Sequence, residues 1–493
     1  MKPLTVVTPS QPGRPIEKTL ESLTGSDLVE RLVVVSREPV DLKKAKCDLL
    51  IGSLSSSKTL NQILEGIRTK SFLLMPRTRH VSIEPEALNK LVSTAETTQA
   101  GLIYSDFYDG SNHERKLHPL IGYQSGSVRD DFDFGAMVLF SVGAVRKALQ
   151  KWGTLPEVKF AGLYDLRLKL SIDHAIQHLQ EPLYTVMKAD EPPGGEILFA
   201  YVDPRNRAVQ GEMEIVFTDY LRKIGAFLPP ERLNKVELSP GSYPVEASVV
   251  IPVRNRRETI SDAVKSALSQ ETDFPFNVIV VDNHSTDGTT TTLTDLASEY
   301  FKLKHIVPTR TDLGIGGCWN EAIHAEACGR YAIQLDSDDL YSNSHTLQKM
   351  VNALRQGGCA MVIGSYTLVD FKLQQIPPGL IDHREWTDEN GHNNALRING
   401  LGAPRGFNTD LMRKIRFLNV SYGEDYAAAL RICREYRIGR IYENLYLCRR
   451  WSGNTDADLT LEEANRNDAF KDKIRTDEII ARQKIAEGIA QGA

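Results

Sequence analysis

The chain has 493 residues, 41% of them hydrophobic and 25% charged, with a formal net charge of −5. That length allows two or more domains, the composition is that of an ordinary soluble globular protein, and the charge gives no general pull toward nucleic acid or anionic membrane. The opening MKPLTVVTPS has too short an apolar run for a signal peptide, and no apolar run reaches the ~18 residues of a membrane span. Cysteines at 47, 318, 328, 359, 433 and 448 form no CxxC pair. They read as reduced core thiols of a cytoplasmic protein, not as a zinc or disulfide framework.

Residues 1–190 alternate strand-like and helix-like segments. Leu4–Thr8 predicts a strand, and Ile16, Leu20 and Leu23 then recur at helical spacing. Leu32–Val35 and Phe72–Met75 are further strands, so the region reads as a parallel sheet covered by helices. Asp190–Glu196, DEPPGGE, breaks the pattern. Met213, Ile215, Val216, Tyr220, Leu221 and Ile224 then make a helical stripe that stops near Gly225. Residues 191–245 are read as an ordered helical connector. Strand–helix alternation restarts at Ala247–Val253, and Ile260, Ala263, Val264, Ala267 and Leu268 form one helical face. A second α/β domain is expected over 246–458. Thr460 and Glu463 have capping-box spacing, which predicts a C-terminal helix over 459–493. Its thin apolar face (Leu461, Phe470, Ile474, Ile480) is expected to pack on the surface or on a partner.

The two α/β regions align as copies of one unit. Phe72–Pro76 lies over Tyr331–Leu335, GAMVLFSVGAVRK (135–147) over GAPRGFNTDLMRK (402–414), and EPLY (181–184) over ENLY (443–446). This alignment sets Arg77 and Arg79 over Asp336 and Asp338, Ser36 over Asp282, and Asp165 near Asp425. The first copy thus lacks the carboxylates on which the chemistry of the second rests.

That chemistry is centred on YAIQLDSDDL (331–340). A buried strand ending in Asp336-Ser337-Asp338-Asp339 delivers carboxylates to the carboxyl edge of a sheet, where ligands of open α/β sheets bind. Such a cluster suits a hard divalent cation, Mg²⁺ or Mn²⁺, shared with substrate phosphates. Pro252 stiffens the end of the opening strand. Asp282 ends the next strand and is placed to accept from a base N–H. Gly423-Glu424-Asp425 puts two carboxylates just before a helix, where a general base would take a proton from an attacking hydroxyl.

In chain order these motifs are SVVIPVRN, VIVVDNHSTDGT, DLGIGGCWNEAI, IQLDSDD and GEDY. With them, the stretch from about Ala247 to Trp451 resembles the family-two inverting glycosyltransferases of the GT-A fold. The resemblance implies an α/β chain of two tandem GT-A-like domains, Rossmann-like and of the nucleotide-diphospho-sugar transferase kind, plus a C-terminal helix. The first domain would be a degenerate copy. Pro252, Arg254, Asn255, Gly314 and Asn320 would line the nucleotide-sugar pocket. Asp282 would hold the base, with uracil expected. Asp336 would lie by the ribose and diphosphate and share the Mn²⁺ or Mg²⁺ with Asp338. Asp425 would be the catalytic base. Glu424, Arg450 and Trp451 are the acceptor-side candidates. The implied partners are a nucleotide-sugar donor and a glycan or glycoconjugate acceptor, with no nucleic acid and no membrane span; a homo-oligomer is compatible. Two positions depart from the family pattern. Trp319 precedes Asn320 where an Arg is common, and Trp451 stands near the place of a common His. Two other functions compete with transfer: a sugar-phosphate nucleotidyltransferase, whose Gly-rich signature IPVRNRRET lacks, and a non-catalytic scaffold.

Overall fold

The computed structural model describes residues 2–10, 17–40, 47–76, 80–110, 114–187, 206–237, 241–454, 457 and 459–490. These form two compact units. The first combines the N-terminal residues, Ala208–Phe227 and the chain from Thr460 onward; the second contains Leu228–Leu459. The breaker cluster at Asp190–Glu196, Ile16, Arg77 and Arg79 lie outside the described residues.

The first unit holds a seven-stranded sheet in the order Asp48–Ile51, Val29–Ser36, Leu4–Ser10, Ser71–Leu74, Val138–Ser141, Leu102–Ser105, Ile176–Leu179. The main sheet of the second unit runs Leu303–Ile306, Phe276–Asp282, Ala247–Val253, Tyr331–Gln334, Arg405–Asn408, Met361–Val369, Ile438–Arg449. In both, the first four strands are parallel and the fifth is inserted antiparallel. One topology is therefore built twice, as the internal repeat requires. The helix caps repeat as well. Ser141 accepts from Ala144 N–H and Asn408 from Leu411 N–H, each at the end of the antiparallel strand. In the second unit the two long strands Met361–Val369 and Ile438–Arg449 run on to pair with Gln375–Ile381 and Leu340–Tyr341. In the first unit the corresponding chain breaks into a separate four-stranded sheet.

The strand registers correct two details of the repeat. Leu4 pairs with Ser71, and Ala247 with Tyr331. Met75 N–H then donates to Val7 O as Leu335 N–H does to Val250 O. By that count Pro76, not Arg77, takes the place of Asp336, so the alignment that set the two arginines over the aspartates is one residue out. The second correction concerns Asp165. The helices Gly162–Asp173 and Glu424–Cys433 start after Ala161 and Gly423. Leu163 therefore stands where Asp425 stands. Asp165 is buried two positions later in an ion pair with Lys169 at 2.6 Å.

The helix Arg207–Lys223 belongs to the first unit for all but its first residue. It buries Val216, Phe217, Tyr220 and Leu221, whereas Ile215, expected on the same stripe, is 65% exposed. The helix Leu461–Ala490 opens on the capping box: Thr460 N–H donates to Glu463 Oε2 and Glu463 N–H to Thr460 Oγ1. It packs within the first unit through a face that is largely ionic. Lys471, Asp472, Arg475, Glu478 and Arg482 are buried, and Ile480 is exposed. Asp472 meets Arg475 at 2.9 Å and accepts from Ser127 Oγ at 2.7 Å. Arg129 reaches Asp468 at 2.9 Å and Asp472 at 3.6 Å. Removing one side of such a buried network strands the other. Asp472→Ala should lower stability by about 3–5 kcal/mol, read as an earlier urea midpoint; an unchanged midpoint contradicts the network.

Candidate functional site

The strand order of the second unit reverses at Ala247–Val253. The chain moves outward through Phe276–Asp282 and Leu303–Ile306, then returns to Tyr331–Gln334 on the other side. The carboxyl ends of the strands at such a switch point leave a crevice. Near-continuous apolar runs (SVVI, VIVV) make these strands fully buried, so the first polar residue after each run marks the edge.

Asp282 ends its strand fully buried. Burial pushes its carboxyl up. The His305 ring beside it and hydrogen bonds from Ser285 and Thr290 outweigh that and hold it well below the usual carboxylate range. Ser285 N–H donates at 3.0 Å and Thr290 Oγ1 at 2.6 Å, and His305 Nε2 lies 3.5 Å away. Asn255 adopts φ 56°, a left-handed conformation that Asn tolerates. Its Oδ1 accepts from Thr286 N–H and its N–H donates to Ser285 Oγ, which ties the two strand ends together. Pro252 sits one residue before the end of its strand, and Arg254 is exposed beyond it.

Gly314 caps the helix Ile315–His324, and a Cβ there would meet Val420 backbone. Asn320 turns its amide to the Phe417 backbone, donating to its carbonyl at 2.8 Å and accepting from its N–H at 3.0 Å. It anchors a loop. Trp319 packs in an aromatic cluster with Phe407 and Phe417.

The aspartate run follows the strand Tyr331–Gln334. Asp336 accepts from Gln334 Nε2 at 2.9 Å. Asp338 Oδ2 accepts from Trp451 Nε1 at 3.1 Å and from Asn454 Nδ2 at 3.0 Å, with Arg256 Nε at 3.9 Å. Asp339 Oδ1 accepts from Arg449 N–H at 2.7 Å. Burial pushes the carboxyls of Asp336 and Asp339 up, and the neighbouring aspartates push them further. Among the described residues no group of three or more His, Cys, Asp or Glu could by itself hold a metal. The hard oxygens of Asp336 and Asp338 are the donor type that would suit a Mg²⁺ or Mn²⁺ sharing its remaining positions with a ligand.

Glu424 and Asp425 open their helix after Gly423, at φ 78°. They differ sharply. Glu424 is buried, and its Oε2 meets no hydrogen-bond partner. Burial first, and then the Asp425 charge, push its carboxyl up to about 8. The Asp425 side chain is 30% exposed and pairs with Arg405 Nη1 at 2.7 Å. Trp451 lies against Phe371 with ring centroids 5.3 Å apart, and Arg450 N–H donates to Val369 O. Arg405, Gln334, His305 and Asn454 were not singled out from the sequence. A charged residue opening a strand otherwise lined by buried positions was the one visible signal, at Arg405.

Residues 248–416 match the family described as glycosyl transferase family 2. The second unit therefore carries a domain of the family whose motifs its sequence resembles. The putative teichuronic acid biosynthesis glycosyltransferase TuaG of Bacillus subtilis is 34% identical over 125 residues, 25% of this chain and 47% of that protein. The poly(ribitol-phosphate) beta-glucosyltransferase of Bacillus spizizenii is 31% identical over 121 residues, 24% of this chain and 19% of that protein. The chain thus spans less than half the length of these relatives. Among solved structures, S. aureus TarS 1-349 in complex with UDP-GlcNAc aligns at 22% identity and TM-score 0.37, over 48% of this chain and 72% of that one. The mannosyltransferase PcManGT from Pyrobaculum calidifontis, in complex with GDP-Man and Mn2+, aligns at 16% identity and TM-score 0.35, over 59% of this chain and 86% of that one.

The raised Glu424 carboxyl makes a stability statement. Between its ordinary value of 4.5 and about 8 the folded chain holds a proton that the unfolded chain has lost. Stability contributed by this group therefore falls as pH rises through that window. Glu424→Gln should remove the loss and gain on the order of 1–3 kcal/mol relative to wild type at pH 8, with little difference at pH 4.5. Equal urea midpoints for the two proteins at pH 8 contradict this.

Proposed function

We propose that the second unit transfers a sugar from a nucleotide-sugar donor, uridine-linked, to a hydroxyl acceptor with inversion at the anomeric carbon. The acceptor belongs to a surface polysaccharide or related glycoconjugate, the class named for the Bacillus relatives. The observation that carries this reading is that three carboxylate groups serve one sheet edge: Asp282 and Asp336–Asp339 lie inside the matched segment 248–416, and Glu424–Asp425 follow just beyond it, with Asp425 tied back to the sheet through Arg405.

Asp282 stands at the base end of the pocket, where its buried carboxylate orders the Ser285–Thr290 turn and the strand end that would receive the base. Pro252, Arg254 and Asn255 line the nucleotide side. Asp336 and Asp338 hold the divalent cation, Mn²⁺ or Mg²⁺. Trp451 and Asn454 fix the Asp338 carboxylate by donating to one of its oxygens. When bound, the ion neutralises charge on the departing diphosphate. Asp425 takes the acceptor proton as the hydroxyl attacks, since it is the more exposed carboxylate of the pair. Glu424 stays protonated near neutral pH and is structural. Attack opposite the leaving group inverts the anomeric centre in one displacement. Trp451 and Arg450 border the acceptor side.

The first unit does not bind a metal–nucleotide pair on this reading. Pro76 and Ser36 stand where Asp336 and Asp282 stand. A nucleotidyltransferase would instead release pyrophosphate from a sugar phosphate and a nucleoside triphosphate.

Thermal shift with UDP-, GDP- and dTDP-sugars tests the site. A UDP-sugar should raise the melting temperature only with Mn²⁺, and Asp338→Ala should abolish the shift while folding normally. Asp425→Asn should keep the shift and lose about 10²–10⁴-fold in turnover. Full turnover by Asp338→Ala or in EDTA, or loss confined to Glu424→Gln, refutes the assignment.

A further inference from the structure

Arg405 opens the antiparallel strand at the centre of the sheet and stands between the carboxylate groups. Its Nη1 lies 2.7 Å from Asp425 Oδ2 and also donates to Leu401 O. Its backbone N–H donates to Gln334 Oε1 at 3.2 Å, and Gln334 Nε2 donates to Asp336 Oδ1 at 2.9 Å. These two neighbouring side chains therefore span the site, one on Asp425 and the other on Asp336. Both residues are largely buried: Gln334 is 3% exposed and the Arg405 side chain 14%.

The first unit serves as an internal control. Its register sets Leu74 beside Val138. Counting from the matched pairs Ser71–Ser141 and Tyr331–Asn408, these are the places of Gln334 and Arg405. The copy without the carboxylates closes its sheet with two apolar side chains. The fold therefore does not require an arginine here. The positive charge occurs together with the negative ones, in the copy that has them.

The geometry around Asp425 gives that charge a task. Asp425 Oδ1 accepts from Tyr426 N–H at 2.7 Å, and Oδ2 is held by Arg405. A carboxylate tied at both oxygens cannot swing. It presents one fixed direction to a hydroxyl arriving from the exposed side. The Arg405 guanidinium is anchored in turn on Leu401 O, while its backbone N–H is held by Gln334, so its fork is set before any ligand arrives.

We infer that Arg405 is a positioning residue for the transfer step, its guanidinium clamping Asp425 in the orientation that accepts the acceptor proton. The inference rests on the reading of Asp425 as the base.

A double-mutant cycle on the full chain tests it. Turnover is read as nucleoside diphosphate released from UDP-, GDP- and dTDP-sugars with Mn²⁺. Donor-site integrity is read as calorimetric binding of UDP with Mn²⁺. Arg405→Val installs the residue of the first unit. It should lower kcat roughly 10²-fold and leave UDP affinity within about 3-fold. Arg405→Lys, which keeps the charge, should recover about a tenth or more of the lost rate. In an Asp425→Asn background, Arg405→Val should cost nothing further, because the two act as one unit. Effects that multiply instead, or UDP binding lost together with turnover, make Arg405 merely structural and overturn the inference. If Asp425→Asn is impaired and Arg405→Val is as active as wild type, the clamp fails and the base assignment stands. If Asp425→Asn is fully active, the base assignment fails and takes the clamp with it. Should Arg405→Val not fold, Arg405→Gln carries the same cycle and the same outcomes.

Discussion

Like charges brought to one sheet edge repel, and the second unit is organised around that cost. Asp336, Asp338, Asp339, Glu424 and Asp425 gather where parallel strands end. The protein offsets the repulsion in three ways. Burial and mutual repulsion push the Asp336, Asp339 and Glu424 carboxyls up, which favours holding protons there. Neutral donors fix single oxygens, as Gln334, Trp451 and Asn454 do. Arg405 brings a permanent positive charge into the middle. Burial works against that charge, and the acidic groups beside it, Asp425 foremost, more than restore it. On the proposed function, a divalent ion at Asp336 and Asp338 would take over part of this compensation.

The two units show how little of this belongs to the backbone. Strand order, the inserted antiparallel strand and its helix cap are the same in both. What differs is the residue that ends each strand. Pro9 matches Pro252 in place, yet Ser36 takes the place of Asp282, and Leu74 and Val138 those of Gln334 and Arg405. A shared fold positions a site without supplying it. The first unit spends its polar chemistry elsewhere, on the buried ionic face that receives Leu461–Ala490.

Much of this was legible in the sequence, because strand ends and caps are local signals. IPVRN, VVDN and LDSDD each announce a buried run meeting polar residues, and Thr460 with Glu463 announces a helix start. The repeat was legible because pieces as short as EPLY and ENLY fell in order. The rest depends on contacts distant in the chain. Arg405 is 20 residues from Asp425 in sequence and meets it only once the sheet forms. His305 reaches Asp282 across a strand pair. The ionic face of the C-terminal helix hides from any apolar stripe, since its buried residues are charged. Phe72 and Ser71 compete for the place of Tyr331 because apolar letters match in either register, and only strand pairing separates neighbouring positions.

On the proposed function, one edge, in the second unit, binds a nucleotide diphosphate with a divalent ion, while the matching edge of the first unit does not. The stoichiometry of UDP binding to the full wild-type chain in saturating Mn²⁺ tests this most directly. One site per chain is expected by calorimetry. Two sites per chain, or none in Mn²⁺ and Mg²⁺ alike, would contradict it.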